Sequence, residues 1–264
     1  MTPRLRRLPA ALLAAGALAL AACAPGAEGA PGLTPTAAAE PALSGELVVF
    51  AAASLQLTFT QLGEILTADH PDLRVTFNFG SSGTLATQIV AGAPADVFAA
   101  ANSSTMTDAA AVVNPPTVFA HNSLVIVTPA GNPARITGLA DLANPDLKIA
   151  LCDPSAPCGS AATSVLTAAG LTGAPDTFGQ NVSATLQLVT EGEVDAALVY
   201  ATDGIAAHDH VETITFPEAD GAVNVYPIAT LREAANPAAA EAFVALVLSA
   251  TGQQILASAG FGAA

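Results

Sequence analysis

Residues 46–55 read ELVVFAAASL and residues 73–85 read LRVTFNFGSSGTL. Glu46 to Phe50 is an apolar run that ends on small residues and reads as a strand. Behind it, Ser54 to Ala68 carries Leu55, Phe59, Leu62 and Leu66 at helical spacing, with Ser54 placed as an N-cap. Leu73 to Phe79 alternates as a second strand. Ser82 to Ala91 then reads as a helix with Leu85, Ile89 and Val90 on one side, and Ala95 to Ala100 reads as a short buried strand. Strand and helix in this alternation predict an α/β fold, a mostly parallel sheet flanked by helices.

The rhythm continues downstream. Val118 to Thr128 is a long apolar run interrupted by His121, Asn122 and Ser123, long enough to cross from one lobe to another. A second series follows: a strand at Lys148–Leu151, helices at 159–169 and 183–191, and strands at Asp195–Tyr200 and Asn224–Thr230. Helical segments close the chain at 237–258, with Gly252 as the expected break.

The first residues belong to no fold. Arg4, Arg6 and Arg7 precede an apolar stretch, Leu8 to Ala19, too short for a comfortable membrane span. This reads as a secretory signal over 1–22. Leu20-Ala21-Ala22-Cys23 resembles a bacterial lipobox, which implies cleavage before Cys23 and a diacylglyceryl group on its sulfur. Residues 23–44 are Ala, Pro, Gly and Thr with almost no large apolar side chain, and read as a flexible tether. No later stretch is continuously apolar for a span.

Only Arg74, Arg135, Lys148 and Arg232 remain as basic residues beyond the signal, against 22 Asp and Glu in a chain of formal net charge −15. Phosphate-backbone binding needs clustered Lys and Arg, so nucleic acid is excluded as a partner. Cys152 and Cys158, six apart around Pro154 and Pro157 in an exported chain, read as a short-loop disulfide. Two free thiols or a metal pair are the alternatives.

Three places share one arrangement: Phe50 to Leu55, Phe79 to Leu85, and Pro157-Cys158-Gly159-Ser160. In each, small or hydroxyl residues precede a helix. A helix start exposes unpaired N–H groups and the positive end of the dipole. Small side chains admit a ligand to the backbone, and serine hydroxyls add donors. Such turns can hold an anion without a cationic side chain. In an open parallel sheet they also lie where ligands sit, at the carboxyl ends of the strands.

The motifs at Phe50–Leu55, Gly80–Leu85 and Gly92–Phe98 resemble the molybdate-binding proteins of bacterial ABC importers. So do Asn122–Val127, Ala197–Tyr200 and the terminal segment from Phe243 to Phe261. The resemblance runs from Glu46 to Phe261 and implies a two-lobed, type II periplasmic-binding-protein fold. Lobe 1 would comprise 45–125 plus 226–264, and lobe 2 would comprise 126–225. It implies a monomeric, non-enzymatic receptor on the outer face of the cell membrane, without a cofactor. The receptor would carry molybdate or tungstate to a permease, with another oxyanion such as sulfate or phosphate as the alternative cargo. The implied contacts are the hydroxyls and amides of Ser54 and Ser82, the amides of Cys158 and Val182, and the Tyr200 phenol. No protein-coordinated metal cation is implied. Cys158 replaces the family's Ala, which an amide contact tolerates, and Gly83 replaces a small hydroxyl residue at an expected small cost.

A site of donors alone selects by protonation. Molybdate, tungstate and sulfate are dianions without a proton near neutral pH, whereas phosphate keeps one that needs an acceptor. Sulfate is smaller and must be rejected by size. Two rival readings remain. Ser54, Ser81 and Ser82 sit at turns where hydrolase nucleophiles sit, but no Gly-x-Ser-x-Gly elbow is present, and His70, His121, His208 and His210 lie outside the turns. His208-Asp209-His210 could begin a metal site, but a solvated loop is the simpler expectation and third and fourth ligands are missing.

Overall fold

The computed structural model describes residues 42–171 and 175–264. The signal, Cys23 and the tether as far as residue 41 lie outside the described residues. Leu43 and Ser44, expected to lie in the tether, are hydrogen-bonded to the body. The Leu43 amide donates to His70 Nδ1 (3.3 Å), and Asn236 Nδ2 donates to the Ser44 carbonyl (2.9 Å). Both residues therefore belong to the folded body.

The first series builds β1 (Gly45–Ala52), α1 (Gln56–Asp69), β2 (Leu73–Gly80), α2 (Ser82–Val90), β3 (Val97–Ala99), α3 (Ser103–Asp108) and β4 (Thr117–Asn122). Residues of β1 alternate between two clusters. Leu47, Val49 and Ala51 join the large core with Phe59, Leu62 and Phe243, while Phe50 joins a smaller one with Leu85, Ile89, Phe98 and Met106. That is the period-two geometry of a strand covered on both faces. Asp96, in the Gly92–Phe98 motif, serves this core. Its buried carboxylate accepts from the Val48 amide (2.8 Å) and the Asn236 amide (3.0 Å).

The second series builds β5 (Leu124–Pro129), β6 (Ile149–Cys152), α4 (Pro157–Ala168), β7 (Thr177–Gly179), α5 (Val182–Thr190), β8 (Ala196–Tyr200), α6 (Ala201–Ala206) and β9 (Val211–Ile214). β10 (Asn224–Thr230), α7 (Pro237–Leu248) and α8 (Ala250–Ser258) complete the body. The first sheet has the order β2-β1-β3-β10-β4, and the second β7-β6-β8-β5-β9. Each is parallel except for one strand: β10 runs against β3 and β4, and β5 runs against β8 and β9.

The long run at 118–128 is two strands in two sheets. β4 ends at Asn122, β5 begins at Leu124, and Ser123 is the crossing. The return crossing lies between Ile214 and Asn224. The expected boundaries at 125/126 and 225/226 thus fall inside β5 and β10, because both strands begin immediately at their crossings.

The terminal break falls at Ser249, not Gly252. Ser249 caps α8 by accepting from the Gly252 amide (3.1 Å). A Cβ on Gly252 would run into the Leu246 carbonyl, so this glycine serves close packing of α8 against the end of α7. Among the described residues no single helix is long and apolar enough to cross a membrane. α7 and α8 together are, but they bend by 60°.

Candidate functional site

Four helix starts meet in one place: the 3-10 turn Ala53–Leu55 that leads into α1, and the first residues of α2, α4 and α5. The space between them is a small pocket, part of it open to solvent. Ser54 and Ser82 line it from the first sheet. Cys158, Val182 and Tyr200 line it from the second, so all five residues expected from the sequence face one space. No Lys, Arg, His, Asp or Glu lines it. Positive potential must come from helix ends, where the first amides have no partner in their own helix. Val182 lies at the first position of α5, and the Asn181 cap engages only the Ala184 amide (3.0 Å).

Hydrogen bonds behind the cavity orient its hydroxyls. Ser82 Oγ, within a fully buried residue, accepts from the Ala101 amide (3.0 Å), which leaves the Ser82 proton free for the cavity. Ser54 does not cap α1. Its Oγ lies 2.9 Å from Tyr226 Oη, and Tyr226 Oη in turn accepts from Asn122 Nδ2 (3.5 Å). With the Asn122 amide donating into the phenol, Tyr226 can donate to Ser54 and Ser54 can donate inward. Neither Tyr226 nor Asn122 was expected at the site, although Asn122 opens the 122–127 motif. Neither lies at a helix start, and Tyr226 is 172 residues from Ser54.

Tyr200 closes β8 with its ring 6.1 Å from that of Tyr226. Burial pushes both phenols well above their ordinary range, so both remain neutral donors. Behind Tyr200, the Asp203 carboxylate accepts from the Tyr200 amide (3.2 Å). Burial raises Asp203 from 3.8 to about 7, and the backbone bonds only partly oppose this. Among the described residues, two buried side-chain polar atoms lack a hydrogen-bond partner: Tyr200 Oη and Ser81 Oγ. Both residues line the cavity.

The loop carrying Cys158 is tied twice. Cys152 at the end of β6 is bonded to Cys158 in the first turn of α4, with Cα atoms 5.7 Å apart. Ser155 donates through its hydroxyl (2.6 Å) and amide (2.9 Å) to the Asp153 carboxylate and holds it below the usual carboxylate range. The same loop explains Gly83. A Cβ there would lie 2.9 Å from the Ser155 carbonyl, across from the other sheet. The absence of a side chain at Gly83 permits this close approach.

The rival constellations stay apart. Ser54 and Ser82 bond Tyr226 and the Ala101 amide, not a histidine. His70 bonds the Leu43 amide and His121 the Ala263 carbonyl. His208 and Asp209 form an exposed pair 3.3 Å apart at a turn. Among the described residues no group of three or more His, Cys, Asp or Glu is placed to hold a metal ion.

The family description "Bacterial extracellular solute-binding protein" matches residues 47–262. The chain belongs to this family. Among its relatives, the molybdate-binding protein ModA of Mycobacterium tuberculosis (strain ATCC 25618 / H37Rv) is 45% identical over 218 residues, 81% of this chain and 84% of that protein. ModA of Escherichia coli (strain K12) is 32% identical over 216 residues, 75% of this chain and 82% of that protein. The Azotobacter vinelandii periplasmic molybdate-binding protein superposes with a TM-score of 0.71 at 24% identity, covering 81% of this chain and 98% of that one. The sulfate-binding protein SubI of M. tuberculosis H37Rv superposes with a TM-score of 0.72 at 18% identity, covering 82% and 86%. Solute-binding proteins named for different anions thus share this two-lobed α/β fold, and the cavity must decide the cargo.

Proposed function

We propose that the protein captures molybdate or tungstate between its two sheets and delivers it to an ABC importer. The observation that carries this reading is a cavity walled by hydroxyls and helix-start amides, with no carboxylate and no cation on its surface. Ser54, Ser82 and Tyr200 donate through their hydroxyls, and Cys158 and Val182 through their amides. A protonated phosphate would find no carboxylate to accept its proton, a loss of roughly 1–3 kcal/mol. Sulfate is also proton-free, so the site must reject it by size, sulfate being the smaller ion. The 45% identity to a protein named for molybdate supports the same choice.

The test is calorimetric titration of residues 42–264 with molybdate, tungstate, sulfate and phosphate. Tight one-to-one binding of the first two, with little heat from the others, is expected. Tight binding of sulfate or phosphate alone would overturn the specificity.

The protein acts as a receptor, in keeping with its solute-binding family and with a cavity of hydrogen-bond donors. Residues 45–122 with 224–264, and 124–214, act as two lobes that close over the anion by bending at their crossings. Small-angle scattering should show contraction on saturation with molybdate, and no contraction would refute closure. The chain works as a monomer outside the cytoplasm, anchored through lipid on Cys23 by the tether. Cys23→Ser should release it from the membrane fraction, and unchanged retention would refute the anchor.

A further inference from the structure

Ser81 stands at the N-cap of α2, with extended backbone (φ −63°, ψ 129°). A serine at that position ordinarily turns its oxygen onto an amide of the first helical turn. Here the side chain makes no such bond, although the Ser81 carbonyl accepts from the Leu85 amide (3.0 Å) as a cap should. The residue is 8% exposed, and its Oγ has no partner among the described residues. A buried hydroxyl without a partner destabilises a fold, so one that persists calls for a reason.

The location supplies that reason. The only other such atom among the described residues is Tyr200 Oη, and the two residues line the same cavity from opposite sheets. Ser54 Oγ and Ser82 Oγ are already engaged from behind. Ser81 Oγ is not, so it can rotate to meet an incoming oxygen.

We propose that Ser81 is a further anion-contacting residue, whose hydroxyl donates to an oxygen of the bound dianion and is satisfied only when the site is occupied. This rests on the oxyanion reading above. It adds one hydroxyl donor to the first-sheet wall, next to Ser82. Molybdate and tungstate should feel its loss equally, because both present the same tetrahedron of oxygens.

The test combines molybdate titration with melting of the empty protein, for the unmodified body, Ser81→Ala and Ser81→Gly. Glycine is a good cap and separates loss of the hydroxyl from loss of a cap residue. Both variants should bind molybdate roughly tenfold or more weakly, the range for a hydrogen bond to a charged group. The empty variants should melt no lower than the unmodified protein, because the lost hydroxyl held nothing. Affinity within twofold of the unmodified protein would overturn the proposal, and so would a lower melting temperature of both empty variants. If the unmodified protein gives no molybdate heat, the functional reading itself fails, and Ser81's role with it.

Discussion

Tyr226 does not line the cavity, yet its hydroxyl lies 2.9 Å from Ser54 Oγ and can orient Ser54's proton. Tyr226→Phe keeps the ring contacts with Phe119, Tyr200 and Phe261 and removes only the hydroxyl. Molybdate affinity should fall by roughly 2–12-fold, the worth of one ordinary hydrogen bond. Unchanged affinity by titration would show that Ser54 needs no partner behind it. Ser54 itself was visible in the sequence because small residues before a helix mark an anion site. Its role as an N-cap was a misreading, since a 3-10 turn intervenes before α1 and the hydroxyl goes to Tyr226. The Tyr226 link depends on tertiary contact and leaves no periodic trace. Gly83 was visible as a departure, but the carbonyl facing it comes from residue 155 on another loop.

Element starts carry the second group of consequences. Asp203 lies in the first turn of α6 behind Tyr200, and the ionisable groups packed with it are the Tyr200 and Tyr226 phenols, which stay neutral. Its carboxyl is raised from 3.8 to about 7 in the folded protein. Between those values the folded chain holds a proton that the unfolded chain has lost. Asp203's contribution to stability is therefore complete below pH about 4 and declines as pH rises through 7, by at most about 1.4 kcal/mol per unit. A bound dianion opposes its ionisation further, so binding should take up protons near pH 7 and weaken toward pH 8. Asp203→Asn should flatten both dependences in melting and titration series from pH 5 to 8, and an unaltered slope would exclude Asp203 as their source.

The Cys152–Cys158 bridge closes a short loop between β6 and α4. The chain-entropy model gives such a loop roughly 2 kcal/mol. Reduction should lower the melting temperature and weaken molybdate binding together, because Cys158 lines the cavity. A change in melting alone would separate the bridge from the site. The bridge and the main βα units were legible in spacing and periodicity. The short elements α3, β7, α6 and β9 were not. They lack the continuous apolar runs that mark β3, β6 and β8, and tertiary pairing makes them regular.

At the scale of the molecule, the crossing at Ser123 joins the two sheets, and the loop at Ser155 brings them together again beside Gly83. Gly83→Ala should push these surfaces apart, since its Cβ would meet backbone rather than a flexible side chain. Affinity should fall several-fold with little change in the melting of the empty protein. Full affinity would mean the approach is not required for binding. The two-lobed plan was legible in the long run at 118–128, but the position of the crossing was not. β4 and β5 are both apolar, and only pairing with β10 and β8 separates them.

The most direct measurement is anomalous diffraction at the molybdenum absorption edge from crystals grown with molybdate. One peak is predicted, inside the cavity between Ser54, Ser82, Cys158, Val182 and Tyr200, with Ser81 Oγ turned toward an anion oxygen. A peak elsewhere, at the His208–His210 turn for instance, or no ordered peak at saturating molybdate, would contradict an anion held by hydroxyls and helix-start amides alone.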